Sequence, residues 1–366
     1  MWTMRKGLSW AILLVLLDMS LARDAKFFSL FNVIKFKNEG CVGTGGDHGT
    51  CTTEDKCTAS GGNAIGNCAA GFGICCRSTI SNCGSTVENN CTYIQNPGYP
   101  SFQSSIQTCT YNFGRISDDL CQIRLDFIST QMGVDDTGKT QLKSFPTRFL
   151  FITINLLWVP GLCTDSITVT SPTGVNPPVV CGDLSGQHMY LETGNAGNAG
   201  SIAFAYAAAG TQRHRIKVTY LECDNLAKAP EFCTQYFTGI SGSFQSYAYA
   251  SEVLLHDQRY RTCFRREQGY CNTDFSTTTM DSFKLLNGGI ADQAKTSECT
   301  VAFVSLGLTA PPSAMICGER FDTEDGSILN GLVRARVEPF FLDTFSAEAT
   351  ADEMGYDLTF RQSPCS

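Results

Sequence analysis

Cysteine is the residue type whose number and spacing could do most of the chemistry in this sequence. The chain carries 19 cysteines among 366 residues. Because thiols stay reduced in the cytosol, this content indicates an oxidising compartment in which cysteines pair as disulfides. The cysteines fall into three consecutive sets, with Cys91 left over. The sets are Cys41, Cys51, Cys57, Cys68, Cys75 and Cys76; Cys83, Cys109, Cys121, Cys163, Cys181 and Cys223; and Cys233, Cys263, Cys271, Cys299, Cys317 and Cys365.

Catalytic chemistry is not indicated by the remaining polar residues. None of the 4 histidines stands in the His-Glu-x-x-His spacing of a zinc metalloprotease helix. No serine occupies a Gly-Asp-Ser-Gly-Gly or Gly-x-Ser-x-Gly motif, and no length is left for a protease domain beside the cysteine sets. The sequence therefore predicts a protein that is not an enzyme, with no catalytic residue and no cofactor.

Apolar and polar residues alternate with a period of two in the segments that position these cysteines. Such alternation places one side of a strand in a core and the other side in water. It is clearest where Cys121, Ile123, Leu125 and Phe127 alternate with Gln122, Arg124 and Asp126. Short strands with glycine, proline and asparagine between them predict antiparallel β-sandwiches. The same period recurs at Ile167 and Val169; Ile202, Phe204 and Tyr206; Ile216, Val218 and Tyr220; Val333, Ala335 and Val337; and Tyr356, Leu358 and Phe360.

The N-terminus has the pattern of a secretory signal peptide. Arg5 and Lys6 precede the apolar stretch from Leu8 to Leu17, and Ser20-Leu21-Ala22 places small residues where signal peptidase cuts. We therefore predict a signal peptide over residues 1–22 and a secreted, extracellular protein. Removing Arg5, Lys6 and Asp18 leaves 25 of 27 basic and 34 of 35 acidic residues. This negative balance disfavours nucleic acid and anionic lipid as partners.

Two features leave alternatives open. The run from Phe149 to Val159 is apolar but shorter than the roughly 20 residues of a membrane span, so no span is predicted. The segment 143–162 is instead an inserted strand, a sequence-assembly accident or an exposed apolar patch for a partner. Basic clusters occur at Arg213-His214-Arg215 and between Arg259 and Arg266. They are either solvated strand faces or a site for a glycan or an acidic partner.

The second cysteine set contains several short motifs: Cys83-Gly84, the turn Asn96-Pro97-Gly98-Tyr99-Pro100, the spacing to Cys109, and Cys163-Thr164-Asp165 leading to Cys181-Gly182. By these motifs the set resembles a CUB domain. The third set repeats the cysteine order but lacks that turn and the aspartate. The resemblance implies an all-β fold with two antiparallel CUB-type sandwiches, a CUB domain at 83–223 and a second CUB-like domain at 233–365. The short linker 224–232 predicts a restricted hinge.

The first set, residues 41–76, resembles a clip domain, because six cysteines in a glycine-rich run end in Cys75-Cys76. A segment this small depends on its disulfides for folding, and its residues alone do not choose among the possible pairings. A generic cysteine-stapled knot is the alternative. Clip followed by CUB modules resembles a group of secreted arthropod proteins, with residues 23–40 as an N-terminal segment.

These resemblances imply a disulfide framework. The clip pattern implies Cys41–Cys75, Cys51–Cys68 and Cys57–Cys76. The CUB pattern implies Cys83–Cys109, Cys163–Cys181, Cys233–Cys263 and Cys299–Cys317, and the repeat order leaves Cys121–Cys223 and Cys271–Cys365. Closing each of these two long loops is expected to stabilise its sandwich by about 4 to 5 kcal/mol.

Calcium is the ligand that the CUB resemblance raises. Calcium-binding CUB domains use a glutamate and two aspartates, and only Asp165 matches here. Residues 128–131 lack the glutamate, and residues 203–212 lack the second aspartate. We therefore expect no calcium cofactor and an Asp165 that caps a loop.

Cys91 lies in Asn90-Cys91-Thr92, the only Asn-x-Ser/Thr acceptor in the chain. We expect a surface loop in which Asn90 is a glycosylation site and Cys91 is shielded and unpaired, because exposed free thiols are reactive. A covalent dimer through Cys91 is the alternative.

Binding-module signatures without a catalytic constellation predict a secreted, non-enzymatic interaction or adhesion protein. Its partners are expected to be extracellular proteins or glycans that contact the CUB loops. The alternative is a non-catalytic regulator of a clip-type serine protease cascade.

Overall fold

The computed structural model describes residues 36–103, 105–134, 161–207, 212–286, 292–297, 299–307, 314–336, 338–347 and 353–365. The expected signal peptide 1–22, most of the segment 23–40, the apolar run from Phe149 to Val159 and the strand residue Val337 lie outside these ranges. Within them, nearly all of the regular secondary structure is β-strand, as predicted. No helix in the described ranges is long and apolar enough to cross a membrane.

A small disulfide-rich sheet begins the described chain, and we call residues 40–77 the N-terminal knot. Its strands lie in the order β1-β2-β4-β3, and its helix α1 is capped by Thr53, whose side chain accepts a hydrogen bond from the Lys56 amide (3.4 Å). The buried Cys57, Cys75 and Cys76 form its centre. Disulfides therefore occupy the position that apolar side chains fill in the core of a larger domain. The elements are β1 (Gly40–Val42), β2 (His48–Thr52), α1 (Glu54–Ala59), β3 (Asn63–Cys68), a 3-10 turn (Ala69–Gly71) and β4 (Gly73–Arg77).

The first sandwich packs a sheet of order β10-β12-β8-β6 on a sheet of order β11-β9-β13-β7-β5. All pairs are antiparallel except those of β5 with β7 and β6 with β8. Its strands are β5 (Thr79–Ile80), β6 (Thr86–Val87), β7 (Thr92–Gln95), β8 (Gln107–Gly114), β9 (Leu120–Gln131), β10 (Ser166–Thr170), β11 (His188–Glu192), β12 (Asn198–Tyr206) and β13 (Arg213–Glu222).

The second sandwich packs a sheet of order β14-β16-β23-β20-β21-β19 on a sheet of order β15-β24-β17-β22, with β18 paired to β24. A 3-10 turn at Tyr249–Ser251 follows β15. Its strands are β14 (Cys233–Phe237), β15 (Ser241–Gln245), β16 (Gln258–Phe264), β17 (Tyr270–Thr277), β18 (Phe283–Lys284), β19 (Ala294–Lys295), β20 (Ala302–Leu306), β21 (Ala314–Gly318), β22 (Val333–Ala335), β23 (Phe340–Ser346) and β24 (Gly355–Pro364).

The two sandwiches share one topology. The order β6-β8-β12-β10 corresponds strand by strand to β14-β16-β23-β20, and β7-β13-β9-β11 corresponds to β15-β24-β17-β22. Even the parallel edge pair recurs, as β6 with β8 and as β14 with β16. The strand order therefore describes one fold present twice.

The structure joins the cysteines in nine disulfides, and each bond stays within its own module. Seven of the pairs are those that the two resemblances imply, and the other two, Cys121–Cys223 and Cys271–Cys365, are those that the repeat order leaves. The full set is Cys41–Cys75, Cys51–Cys68, Cys57–Cys76, Cys83–Cys109, Cys121–Cys223, Cys163–Cys181, Cys233–Cys263, Cys271–Cys365 and Cys299–Cys317.

Alternation predicts the buried faces of the strands, and Gln122 is an instructive exception. Ile123, Leu125 and Phe127 are fully buried in the first core, and their polar neighbours Arg124 and Asp126 are only partly buried. Gln122, expected in water, is 1 % exposed. Its side chain donates to the Ala229 carbonyl (2.9 Å) and accepts from the Ala229 amide (2.8 Å). The linker therefore covers this strand, and it is anchored to the first sandwich.

A further contact between the sandwiches centres on His188 at the start of β11. Its ring Nε2 accepts a hydrogen bond from the Tyr236 amide (3.0 Å), and its carbonyl accepts one from the Tyr247 hydroxyl (2.9 Å). The ring packs edge-on against Phe237 with centroids 4.9 Å apart. Burial lowers the pKa of His188 to about 3, so the ring is neutral at physiological pH.

The knot, together with Asn38 just before it, packs on the first sandwich beside Cys91. The Asn38 side chain accepts from the Asn90 amide and donates to the Glu88 carbonyl, both at 3.2 Å. The hydroxyl of Tyr93 accepts from the His48 amide (3.2 Å). A Cβ placed on Gly40 would lie 2.9 Å from the Cys91 sulfur, so the strand β1 needs glycine to approach this closely.

Candidate functional site

The basic triplet Arg213-His214-Arg215 lies on β13, where its side chains occupy two different environments. Arg213 and Arg215 lie half-buried on the outer face of the sheet, whereas His214 between them points into the core and is fully buried. The His214 ring stacks on Phe204 with centroids 3.8 Å apart, and its Nδ1 hydrogen-bonds the Tyr206 hydroxyl (2.6 Å). Burial lowers the pKa of His214 to about 3. The outer face therefore carries two permanent cations, and the histidine adds no charge.

Aromatic rings hold both guanidinium groups in place. Arg215 lies over Tyr93 and Tyr99, with its Cζ 4.8 Å and 5.6 Å from the ring centroids, and Arg213 lies over Phe102 at 5.2 Å. Cation–π contacts of this kind contribute about 0.5 to 1 kcal/mol each at partly exposed sites. We call these five residues, Tyr93, Tyr99, Phe102, Arg213 and Arg215, the arginine–aromatic face.

The turn before Tyr99 and Phe102 is fixed by Asn96. Its side-chain nitrogen donates to the carbonyls of Pro97 (3.1 Å) and Ser101 (3.0 Å), and its side-chain oxygen accepts from the His214 amide (2.9 Å). Asn96 is fully buried. The turn noted in the sequence therefore positions two rings beside β13, a role that its residues alone did not reveal.

Among the described residues, neither arginine of this face has an acidic partner. No ion pair in those ranges involves Arg213 or Arg215, and the Nε atom of each is buried without a hydrogen-bond partner. The nearby carboxylate of Asp126 is occupied by Arg124 (2.8 Å) and Lys217 (3.2 Å). The face thus carries two guanidinium groups without an acidic partner among the described residues, in a chain whose net charge is −8.

The second basic cluster, on β16 and the turn after it, is mostly neutralised. Three of its arginines form ion pairs, and the Arg261 guanidinium makes two hydrogen bonds to the Asp343 carboxylate (2.6 and 2.7 Å). Arg259 has no ion pair among the described residues and lies over Phe345 at 4.7 Å. The pairs are Arg261 with Asp343, Arg265 with Glu267, and Arg266 with Glu338.

The candidate calcium residue, Asp165, is 1 % exposed and already surrounded by N–H donors. One oxygen accepts from the Gly133 amide and the Gln212 side chain, both at 2.7 Å, and the other accepts from the Ala207 amide at 2.6 Å. No cluster of three or more histidine, cysteine or acidic side chains suited to a metal occurs in the described ranges. These residues do not fit calcium, because hydrogen bonds occupy the carboxylate that would bind the ion. The contacts instead tie both ends of the connection between β12 and β13, and the chain just after β9, to Asp165.

Cys91 is unpaired and 5 % exposed, with a pKa raised by burial. Neighbouring Asn90 is partly buried, and its side-chain oxygen accepts from the amides of Cys91 (2.8 Å) and Tyr220 (2.9 Å). The expected surface loop is therefore a packed contact between the knot and the sandwich. Burial and a raised pKa both lower the reactivity of a thiol.

Comparison with known proteins gives one family. Residues 230–363 match the model described as the animal CUB domain. This is the second sandwich, which lacks the turn and aspartate noted in the first. Comparison with curated protein sequences gives no match.

Solved structures of extracellular regions are also similar, and one of those reported below is described by its CUB domains. The CUB1-EGF-CUB2 domains of rat MASP-1 match with 12% sequence identity over 77% of this chain and 99% of that chain, with a TM-score of 0.25. The full extracellular region of zebrafish Gpr126/Adgrg6 matches with 9% identity over 77% of this chain and 34% of that chain, with a TM-score of 0.26. At these TM-scores, the similarities carry no conclusion about function.

The shared strand order extends the family match from the second sandwich to the fold of the first. Disulfide-rich CUB domains are typical of extracellular proteins. The chain is therefore a disulfide-rich protein that contains CUB-type β-sandwiches, preceded by a small disulfide-rich module.

Proposed function

We propose that this chain is a secreted, non-enzymatic interaction protein that binds extracellular partners through its sandwiches. The observation that carries the proposal is the arginine–aromatic face. It presents two stacked, unpaired cations on a rigid sheet, which is the composition of a binding surface. Folded binding modules acquire function from such surface sites rather than from the fold itself.

The contacts between modules support a role in presenting this face. The linker is anchored at Gln122, and His188 packs between the two sandwiches. A binding surface on a preorganised scaffold loses less conformational entropy when a partner binds. In this proposal the modules form a rigid scaffold that holds the arginine–aromatic face in a fixed orientation, rather than units joined by a flexible linker.

The test is capture of partners from extracellular fluid by the disulfide-bonded full chain. A reduced and alkylated sample of the same chain serves as the control for nonspecific adsorption. Matrix or cell-surface proteins retained only by the native chain are the expected result. Retention of nothing, or a hydrolase activity abolished by one nucleophile substitution, would contradict the proposal.

A regulator of clip-type serine proteases is the second candidate, and one observation favours it. The knot has the three-bond pattern that the clip resemblance implies, and its Phe72 is 70 % exposed. An exposed aromatic ring on a rigid knot is a suitable anchor for a partner. Capture of clip-bearing proteases, lost on Phe72→Ser, would favour this candidate.

A further inference from the structure

We propose that Arg213 and Arg215 bind an extended acidic segment of a partner protein, with carboxylates on alternate residues. This inference rests on the proposed function and names the partner's chemistry at the arginine–aromatic face.

The spacing of the two arginines defines the spacing of the ligand. Residues two apart on a strand point to the same side and are separated by roughly 6.7 Å. An extended peptide has the same period, so acidic side chains at alternate positions face one surface at the same interval. Because Arg213 and Arg215 are both on the outer side of β13, each can meet one carboxylate of such a segment.

The rings preorganise the arginines for carboxylates. Stacking on Tyr93, Tyr99 and Phe102 fixes the orientation of the two guanidinium planes. Because the rings cover faces of these planes, a ligand forms hydrogen bonds with the edges of the guanidinium groups. A planar guanidinium matches a planar carboxylate through two parallel hydrogen bonds. The buried Nε atoms are out of a ligand's reach, so the terminal Nη atoms of the two guanidinium groups, which form no ion pair in the described ranges, are the donors for the carboxylates.

The residues that pair with the two arginines on the neighbouring strands carry no charge that would compete with a ligand for the guanidinium groups. Arg215 pairs with Ser129 on β9 and Gln95 on β7, and Arg213 pairs with Gln131. The partners are neutral and polar. A local positive site of this kind attracts an acidic segment although the whole chain is negatively charged.

A sulfated glycan is the competing ligand, and the ring arrangement argues against it. Sugars bind aromatic residues by stacking on ring faces, and here the arginines already cover faces of Tyr93, Tyr99 and Phe102. The face therefore favours hydrogen bonding over sugar stacking. Heparin oligosaccharides provide the test of this alternative.

Fluorescence anisotropy with the full disulfide-bonded chain tests the inference. The probe is a labelled peptide of alternating glutamate and serine, and the comparison peptide has the same composition with its glutamates in one block. We expect the alternating peptide to bind more tightly. Arg213→Gln and Arg215→Gln should each weaken binding about tenfold, the loss of one charge-assisted contact. Arg215→Lys should restore only part of the affinity, because lysine lacks the planar fork.

Arg259→Gln is the matched control. Arg259 also stacks on a ring and has no ion pair among the described residues, so this variant removes the same charge at a different place. Binding should change less than about twofold. Equal losses for Arg215→Gln and Arg259→Gln would show that only net charge matters and would overturn the site.

Two other results would also overturn the inference: equal binding of both peptides, or no peptide binding. In the second case, heparin binding that depends on Arg213 and Arg215 would identify the sulfated glycan as the ligand. Partner capture from extracellular fluid by the Arg213→Gln/Arg215→Gln variant separates the two proposals. If capture persists, the proposed function stands and this site is wrong. Near-ultraviolet circular dichroism establishes that the double variant retains its fold.

Discussion

His188 makes the contact between the sandwiches sensitive to acid. Its pKa is about 3 in the folded chain, against an ordinary value of 6.5. A histidine with a lowered pKa contributes stability that is complete above pH 6.5 and is lost as pH falls, because the unfolded chain binds the proton first. Each pH unit in this window costs about 1.4 kcal/mol, so the loss at pH 5 is about 2 kcal/mol.

The variant His188→Gln isolates this contribution. Glutamine keeps an acceptor for the Tyr236 amide but does not titrate, so acidification should destabilise it less than the wild type. The free energy of unfolding of the wild type and of the variant is measured in urea at pH 7.5 and pH 5. The decrease from pH 7.5 to pH 5 is then compared between the two proteins. We expect the loss to be smaller by about 2 kcal/mol in the variant.

Other histidines provide the controls. His214 has a similarly low pKa and is present in both proteins, so its contribution cancels in the comparison. His48 lies half-buried at the knot, where burial and Lys217 also lower its pKa. His48→Gln should reduce the loss much less, because the ring keeps more of its solvation. An identical loss in wild type and His188→Gln would refute the assignment of a neutral, buried His188.

Three further predictions concern the buried polar groups and the disulfides. Asp165→Ala should destabilise the first sandwich by about 3 kcal/mol because it removes a buried carboxylate that accepts from three N–H donors, and calcium or EDTA should leave the melting temperature of the wild type unchanged in calorimetry. Non-reducing gels, with and without glycosidase, should show the same monomer for wild type and Cys91→Ser; a covalent dimer lost only on Cys91→Ser would contradict the shielded thiol. Peptide mapping should recover Cys121 linked to Cys223, and finding Cys121 linked to Cys271 would refute the division into two modules.

Periodicity predicts which side of a strand faces the core, but it does not predict what covers the other side. The alternation around Ile123 identified the buried face of β9. It wrongly placed Gln122 in water, because the sequence of one strand does not show that the linker packs against that strand. His188 likewise gave no signal, since burial between sandwiches depends on residues distant in the chain.

The candidate site shows the same limit. The sequence shows that Arg213 and Arg215 are two residues apart, which predicts a common face on a strand. It does not show that the rings of Tyr93, Tyr99 and Phe102 lie beneath them, because those rings are brought there by strand pairing and by the turn at Asn96. Whether a basic cluster is neutralised, as at Arg261, is also decided by cross-strand register.

The confinement of every disulfide to one module has a mechanical consequence. Under tension, force passes through Cys121–Cys223 and Cys271–Cys365, whose loops span 102 and 94 residues. While the two bonds are intact, the chain inside these loops, roughly 350 Å and 320 Å of contour length, cannot be extended. The contacts between modules, at Asn38 and at His188, have no covalent support and would yield first. A pulled chain would therefore lengthen first by parting of whole modules, and the strands enclosed by the two loops would not extend until the bonds are reduced.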